Sequence, residues 1–270
     1  IAHVLSFRSL KKKLGLSKIS IAISGAAPIA PEVLKFFMAL GVPIFEAYGM
    51  TENCAYVTSN DFESIEIGSV GRPHANCEVK IAEDGEILTR HGGTFKGYFK
   101  DEQSTREVID EEGWLHTGDV GEITERGSLI ITDRKKDIIV TSGGKNVSPS
   151  EIENKIKASP FIKDALVIGD RRKFLSCLVA IEFETVSNWA LRKKIPFTTY
   201  RDLTEKSEVR ELVSKEIIRA NEETSSLQVR KFELIPKELD HEDGELTATQ
   251  KIKRNVIIEQ FSELVESMYK

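Results

Sequence analysis

The chain has 270 residues, of which 40% are hydrophobic and 30% are charged, and its formal net charge is −5 at pH 7. This composition is ordinary for a globular protein, and the length allows one large or two smaller domains. The negative balance excludes a global basic field of the kind that recruits nucleic acid. The three cysteines follow no disulfide or zinc pattern, which predicts a reducing, cytoplasmic environment. No apolar run approaches the ~20 residues that span a bilayer, so any membrane contact is expected to be peripheral.

The first part of the chain predicts the strand–helix–strand unit of a parallel sheet. Residues 19–23 form an apolar run typical of a buried strand, and residues 42–45 form a second one. Between them, Pro31 suits the first turn of a helix and Gly41 suits its end. The apolar face of this helix would consist of Val33, Phe37 and Leu40. In such sheets ligands bind beyond the carboxyl ends of the strands.

A loop of small residues, Gly25, Ala26 and Ala27, follows the first of these strands. Without bulky side chains, its backbone can approach a flat ring closely. A tight connector between a strand and a helix explains the same residues, since such loops are common.

The segment after the second strand carries Tyr48, Gly49, Thr51 and Glu52. The threonine hydroxyl and the backbone amides can hold a phosphate oxygen, and the tyrosine ring can stack on a base. The glutamate carboxylate suits Mg²⁺, which prefers hard oxygen ligands. The pattern equally fits a surface loop whose threonine caps a helix.

Residues 67–131 consist of short alternating runs separated by turns at 83–86 and 125–127, which predicts an antiparallel β subdomain. Asp119 is expected on a loop of this subdomain, where its carboxylate can accept hydrogen bonds from two ribose hydroxyls. Arg134 can bridge ribose and phosphate oxygens with its planar guanidinium. The alternatives are an aspartate in an ordinary turn and an arginine in a surface salt bridge.

Beyond Lys136 the alternation of helices and strands returns. A capping box is predicted at residues 148–151, with proline at the first helical position. The other predicted elements are strands at 165–168 and 177–181, an amphipathic helix over 209–220 and a last helix over 256–268.

Two further segments of this part could contact a ligand. Gly143 and Gly144, followed by Lys145, allow either close approach by a thin ligand arm or a sharp turn, and their spacing excludes a P-loop. Lys251 follows a polar stretch, residues 244–250, that could swing it to a remote site. There its charge would stabilise a carboxylate attacking a phosphate. The alternative is a solvated surface lysine.

Taken together, these segments resemble the adenylate-forming ligases, and the fatty acyl-CoA synthetases most of all. The most specific stretch is residues 113–119, GWLHTGD, with residues 133–136, DRKK. Residues 142–153 are also similar to the long-chain members. The resemblance covers nearly the whole chain and implies a reaction in two steps. A fatty acid carboxylate attacks the α-phosphate of ATP, held with Mg²⁺, and a thiol, usually that of coenzyme A, then displaces AMP.

The resemblance also implies a fold and a division of the chain. Residues 1–135 would be the C-terminal part of a large AMP-binding domain, an α/β structure that joins the parallel-sheet unit to the antiparallel β subdomain. Residues 136–270 would be a small, mobile α+β C-terminal domain. The Ser/Thr/Gly-rich phosphate loop of the family is missing, so we expect a fragment that is inactive alone.

The resemblance also implies a role for each residue of this chain that matches a position in a family motif. In the large domain the implied roles are the adenine pocket for Gly25, Ala26 and Ala27, stacking on adenine for Tyr48 beside Gly49, phosphate contact for Thr51, Mg²⁺ binding for Glu52, and ribose binding for Asp119 and Arg134. Beyond it they are the hinge for Lys136, the coenzyme A channel for Gly143, Gly144 and Lys145, and transition-state stabilisation for Lys251. Thr51, Glu52 and Lys251 would be the catalytic residues.

The sequence also departs from the family at two positions. Val140 stands where many relatives carry lysine, and Gln250 stands where they often have glycine. Two alternative functions stay open: adenylation with a carrier protein as the thiol acceptor, and a non-catalytic nucleotide-binding or interaction module. The acyl chain length and the oligomeric state are open as well.

Overall fold

The computed structural model describes residues 2–27, 29–224, 227–247 and 251–270. Pro28, which follows the small-residue loop, and residues 248–250 of the polar stretch before Lys251 lie outside these ranges. The chain divides into two compact units, Ile1–Lys136 and Asp137–Lys270, one residue beyond the boundary predicted from the sequence.

The first unit begins with a four-stranded sheet and two helices. Its elements are α1 (Ala2–Lys13), β1 (Ala22–Ser24), α2 (Pro31–Ala39), β2 (Ile44–Tyr48), β3 (Thr58–Ser59) and β4 (Arg72–Pro73). The strands lie in the order β1-β2-β3-β4, and β1 pairs with β2 in parallel, which confirms the predicted strand–helix–strand unit. Gly41 follows the end of α2 with φ of 72°, a conformation that glycine adopts without strain.

Burial in this sheet differs from the sequence prediction. A buried strand over residues 19–23 is wrong, because Ile21 and Ile23 are 57% and 69% exposed. An apolar run is buried only where a neighbour covers it, and β1 has β2 as its single strand partner among the described residues. On α2 the buried residue is Leu34; of the predicted face, Leu40 just after the helix is buried, whereas Val33 is 39% exposed.

The second sheet of this unit confirms the predicted antiparallel subdomain. Its elements are β5 (Glu78–Ile81), β6 (Glu86–Arg90), α3 (Glu102–Val108), β7 (Leu115–Ile123) and β8 (Leu129–Arg134). The strands lie in sequence order, and the connections β5–β6 and β7–β8 contain the two predicted turns. A small core joins the two sheets through Tyr48, Val57, Cys77, Ile87 and Leu129.

The second unit is a three-stranded sheet covered by helices on both faces. Its elements are β9 (Ile139–Val140), β10 (Asn146–Val147), α4 (Pro149–Lys157), β11 (Ile162–Ile168), β12 (Leu175–Ile181), α5 (Phe183–Arg192), α6 (Tyr200–Thr204), α7 (Ser207–Glu222), β13 (Val229–Leu234), α8 (Arg254–Gln260) and α9 (Ser262–Ser267). In the sheet β11-β12-β13 the first pair is antiparallel and the second is parallel.

Alternation along the central strand β12 explains the apolar run over its residues 177–181. All residues of β12 are buried. Cys177 and Val179 pack in a core with α4, α5 and α7, whereas Leu178 and Ala180 pack in another with α8 and α9. A strand covered on both faces needs no polar positions. Within the described ranges, no helix combines the length and the apolar character required to cross a bilayer.

Two local predictions in this unit are wrong. Ser148 precedes α4, but its side chain makes no capping hydrogen bond, and Glu151 pairs with Lys155 at 2.8 Å instead of completing a capping box. The single last helix predicted from the sequence is two helices, because Phe261 leaves the helical conformation (φ −104°, ψ 27°). Its ring is buried in the core beneath them.

Candidate functional site

Three of the predicted nucleotide-binding residues form one cluster in the first unit, joined by a hydrogen bond and an ion pair. The Tyr48 hydroxyl donates to Oδ2 of Asp119 at 2.6 Å. The Arg134 guanidinium forms an ion pair with the same carboxylate, with Nε 2.8 Å from Oδ1. Asp119 and Arg134 are direct partners across β7 and β8, and Tyr48 ends β2. The first sheet and the antiparallel sheet therefore meet at this carboxylate.

Asp119 lies within a strand, so the prediction that it lies on a loop is wrong. Strand β7 places three residues, Thr117 to Asp119, opposite the single residue Ile87 of β6, which makes a bulge. Gly118 adopts φ of 69° in this bulge. The Thr117 hydroxyl donates to the Ile87 carbonyl and accepts a bond from the Asp119 amide. Bulges re-aim side chains, and this one accounts for the turn-like sequence.

The cluster is largely buried. Asp119 is 6% exposed and Tyr48 is 8% exposed, whereas half of the Arg134 side chain is exposed. Burial, and then the charge of Asp119, raise the pKa of Tyr48 far above its usual value, so its hydroxyl stays a donor. Each carboxylate oxygen can accept more than one hydrogen bond, which leaves Asp119 capacity for ligand hydroxyls. Stacking of Tyr48 on a base stays a prediction.

The small-residue loop lies at the same edge of the first sheet. Gly25 follows β1, and a Cβ at its position would lie 3.1 Å from the carbonyl oxygen of Ala47, the residue before Tyr48. Ala26 adopts φ of 65°, and Ala26 and Ala27 are both exposed. Gly25 thus permits a close approach of the loop to β2.

The turn after β2 presents the predicted phosphate and magnesium residues. A Cβ on Gly49 would lie 2.4 Å from backbone atoms of Ala55, so only glycine fits there. Thr51 and Glu52 follow in one turn of 3₁₀ helix, where Thr51 is exposed and Glu52 is partly exposed. The Tyr98 hydroxyl donates to Oε1 of Glu52 at 2.9 Å, which orients the carboxylate.

Glu86 is a further residue of this region, and no motif in the sequence singles it out. It is 6% exposed; Oε1 accepts from the Gly118 amide at 2.9 Å, and Oε2 accepts from Lys135 Nζ at 3.0 Å. Burial acts to raise its pKa, but its hydrogen bonds, that from Lys135 first, hold the pKa below its usual value. Glu86 thereby binds Gly118 and Lys135, the residues next to Asp119 and Arg134 in the chain. The only signal in the sequence is an acid at the start of a buried strand.

A cavity of about 330 Å³ opens at the same place. It is lined by Gly118, Arg134, Lys135 and Lys136. Three cationic side chains around one opening favour a phosphate-bearing ligand. Lys136, the predicted hinge, belongs to a 3₁₀ turn and is the last residue of the first unit.

The predicted coenzyme A loop lies in the second unit, in the hairpin between β9 and β10. The Thr141 amide donates to the Lys145 carbonyl at 3.0 Å and closes the loop. Gly144 has φ of 74° and is required by this conformation. Gly143 is not, and a Cβ there would meet only the Thr141 hydroxyl at 4.0 Å. Open space at Gly143 suits a thin ligand arm.

Lys251 also lies in the second unit, at one end of a turn whose described flanks, residues 245–247 and 251–253, pair with each other. The Thr247 amide donates to the Lys251 carbonyl at 2.8 Å, and the Lys251 amide donates to the Thr247 hydroxyl at 3.0 Å. Leu246 and Ile252 form a β-bridge beside them. The described ends of the turn are therefore held by the backbone.

Two family models match this chain. One, described as AMP-binding enzyme, matches residues 2–99, and the other, described as AMP-binding enzyme C-terminal domain, matches residues 136–270. A long-chain-fatty-acid–CoA ligase of Mycobacterium bovis is 38% identical over 267 residues, which is 98% of this chain and 44% of that protein. A peroxisomal long chain acyl-CoA synthetase of Arabidopsis thaliana is 34% identical over 98% of this chain and 40% of its own length. The chain thus spans less than half of these relatives.

Solved structures share the fold. The adenylation domain of a carboxylate reductase from Mycobacterium chelonae superposes with a TM-score of 0.78 at 23% identity and covers 99% of this chain, which in turn covers 41% of that domain. An anthranilate CoA ligase solved with anthranoyl-AMP gives a TM-score of 0.69 at 21% identity, over 91% of this chain and 45% of that one. With both domain models matched in order along the sequence, the chain belongs to the AMP-binding enzyme family.

Proposed function

We propose that this chain is the carboxyl-terminal part of an ATP-dependent acid–thiol ligase that activates a fatty acid and transfers it to coenzyme A. The observation that carries the proposal is the buried Tyr48–Asp119–Arg134 cluster, which adjoins a cationic cavity and a small-residue loop. The names of the relatives support the substrate class, since those matched over nearly the whole chain are fatty-acid ligases.

In the first step the first unit would hold ATP. Asp119 would accept hydrogen bonds from the ribose hydroxyls, and Arg134 would bridge ribose and phosphate. Gly25, Ala26 and Ala27 would lie against the adenine ring. Tyr48 keeps the Asp119 carboxylate fixed in advance, so little side-chain entropy is lost when the nucleotide binds.

The residues that would face the triphosphate also fit Mg²⁺. No group of three or more acidic, histidine or cysteine side chains among the described residues could hold a metal by itself. Mg²⁺ bound to a nucleotide needs only one or two carboxylates, because phosphate oxygens and waters complete its shell. Glu52 would supply the carboxylate and Thr51 a hydroxyl to a phosphate oxygen. The ion would neutralise the charge of the leaving pyrophosphate.

The second unit would serve the two steps in turn. Lys251 would stabilise the charge that develops when the fatty acid attacks the α-phosphate. Gly143, Gly144 and Lys145 would border the path of the thiol in the second step. Rotation about Lys136, where the first unit ends, would exchange the two surfaces at one nucleotide.

Pyrophosphate release tests the proposal. The complete polypeptide that carries this segment, given ATP and Mg²⁺, should release pyrophosphate only when a fatty acid is added, and Asp119→Asn should weaken AMP binding by at least about tenfold, as expected for a hydrogen-bonded charge. Asp61→Asn, the same change on an exposed loop, should alter neither. Release without a fatty acid, or unchanged AMP binding by Asp119→Asn, contradicts the proposal.

The acceptor is decided by a second comparison. Coenzyme A should consume the acyl-adenylate faster than a phosphopantetheine-bearing carrier protein does. The reverse order would favour the carrier-protein ligase. The 270-residue chain alone should show no turnover, and robust activity from it would contradict its assignment as one part of a larger site.

A further inference from the structure

A buried ion pair lies directly beyond the turn that carries Lys251. Arg254, the first residue of α8, donates from Nη1 to Oε1 of Glu153 and from Nη2 to the Val167 carbonyl, both at 2.7 Å. The same Glu153 oxygen accepts from the Val167 amide at 2.7 Å. Glu153 belongs to α4 and Val167 to β11, so one guanidinium joins a helix, a strand and the start of another helix.

Covering the edge of the sheet explains part of this arrangement. Among the described residues, β11 pairs only with β12, so the amide and carbonyl on its outer side need partners. The side chains of Glu153 and Arg254 are 9% and 18% exposed, and removing one partner of such a pair leaves a buried charge. Covering the edge of β11, however, does not require that the Glu153–Arg254 pair be connected to the turn that precedes α8.

The turn is connected to this pair along the backbone. Lys253, next to Arg254, donates its amide to the Glu245 carbonyl at 2.8 Å, which closes the turn that carries Lys251. The opposite end is fixed as well, because the fully buried Glu245 carboxylate accepts from Lys237 Nζ at 2.9 Å and from the Asp240 amide at 2.8 Å. Both ends of the turn are thus anchored by buried carboxylates.

We propose that Glu153 and Arg254 are positioning residues that fix the base of the Lys251 turn and thereby aim this lysine in the adenylation step. The functional half of this inference, that the pair aims Lys251 in the adenylation step, rests on the proposed function. The positional half, that the pair fixes the base of the turn, concerns the second unit alone. Neither residue is proposed to touch a substrate.

Amide hydrogen exchange on the 270-residue chain tests the positional half. In Glu153→Gln the amides of Lys251 and Lys253 should exchange at least about tenfold faster, while amides in the middle of β12 change by less than about twofold, because only a local opening has been made easier. Glu151→Gln is the matched control on the same helix: it breaks a partly exposed pair with Lys155 and should change none of these rates. Equal acceleration everywhere, or none at the turn, overturns the inference.

Arg254→Lys keeps the test decisive if the glutamine variant fails to fold. Lysine retains the charge but cannot bind Glu153 and the Val167 carbonyl with the same planar fork. It should accelerate exchange at Lys251 and Lys253 by less than the glutamine variant does, and should leave β12 unchanged. Unaltered protection at the turn in Arg254→Lys contradicts the inference.

Separate measurement of the two half-reactions in the complete polypeptide tests the functional half. Glu153→Gln should slow adenylate formation at least about tenfold through kcat, with less than about a twofold change in KM for ATP and in thioester formation from preformed adenylate. Equal slowing of both half-reactions indicates a merely structural role and overturns the inference. If the polypeptide forms no adenylate with any fatty acid, the proposed function fails, while hydrogen exchange still decides the positional half.

Discussion

Replacing Glu46 by glutamine should stabilise the first unit at pH 8 and leave it almost unchanged at pH 5. Glu46 lies in β2, two residues before Tyr48, and is 8% exposed. Its Oε2 is buried without a hydrogen-bond partner. Burial raises the pKa of this carboxyl to about 7, although the backbone amides of Gly68 and Ile29 act in the opposite direction. Glutamine has the shape of the protonated acid and cannot become charged.

The size of the effect follows from the pKa. Between its usual pKa of 4.5 and about 7, Glu46 holds a proton in the folded state and loses it in the unfolded state. The free energy of unfolding therefore falls as the pH rises through this window. At about 1.4 kcal/mol for each pKa unit, the loss reaches about 3 kcal/mol at pH 8 and stays below about 1 kcal/mol at pH 5. The Glu46→Gln variant should regain this lost free energy of unfolding at each pH.

The two tryptophans make the measurement specific for one unit. Trp114 lies in the first unit and is 8% exposed, whereas Trp189 lies in the second. In a Trp189→Phe background, urea unfolding followed by fluorescence reports the surroundings of Trp114 alone. Glu63→Gln, the same change on an exposed loop, is the control and should have no effect at either pH. A Glu46→Gln gain that is the same at pH 5 and pH 8 would refute the reasoning.

The remaining predictions use the same fluorescence assay or thiol labelling. Tyr48→Phe removes a hydrogen bond to a buried carboxylate, Asp119, and should destabilise the first unit by about 1.5–3 kcal/mol; a loss below about 0.5 kcal/mol would contradict that bond. Gly49→Ala would place a methyl group 2.4 Å from backbone atoms and should cost about 1–3 kcal/mol, whereas Gly92→Ala meets open space and should be neutral. Burial raises the pKa of Cys177 well above its usual value, so this thiol should resist an aromatic disulfide reagent until the chain unfolds; labelling at the native rate of an exposed cysteine would contradict its burial.

Periodicity in the sequence was sufficient for most elements of this fold. The parallel pairing of β1 with β2, the two antiparallel hairpins and the buried strand β12 all follow from local patterns that the structure confirms. The burial of each strand is harder to predict from the sequence, as the exposed Ile21 and Ile23 show, because an apolar strand is buried only where another element covers it. Which element covers a strand depends on distant segments of the chain and not on the apolar run itself.

The candidate site illustrates the same limit. The residue types of Tyr48, Asp119 and Arg134 could be proposed from motifs, but the hydrogen bond and the ion pair that join them depend on a bulge within strand β7. No local pattern marks Glu46, and the only one that marks Glu86 is its place at the start of a buried strand. Their significance comes from burial by residues that are remote in the sequence.

Comparison of the two half-reactions after Lys251→Ala tests the central claim most directly. In the complete polypeptide, this variant should lose adenylate formation by at least about 100-fold, as expected when one electrostatic stabiliser of a transition state is removed. It should still form thioester from preformed acyl-adenylate at nearly the original rate. Lys253→Ala, an exposed lysine on the same turn, is the control and should affect neither step. Equal losses in both steps, or an intact first step, would contradict the assignment of Lys251 to adenylation.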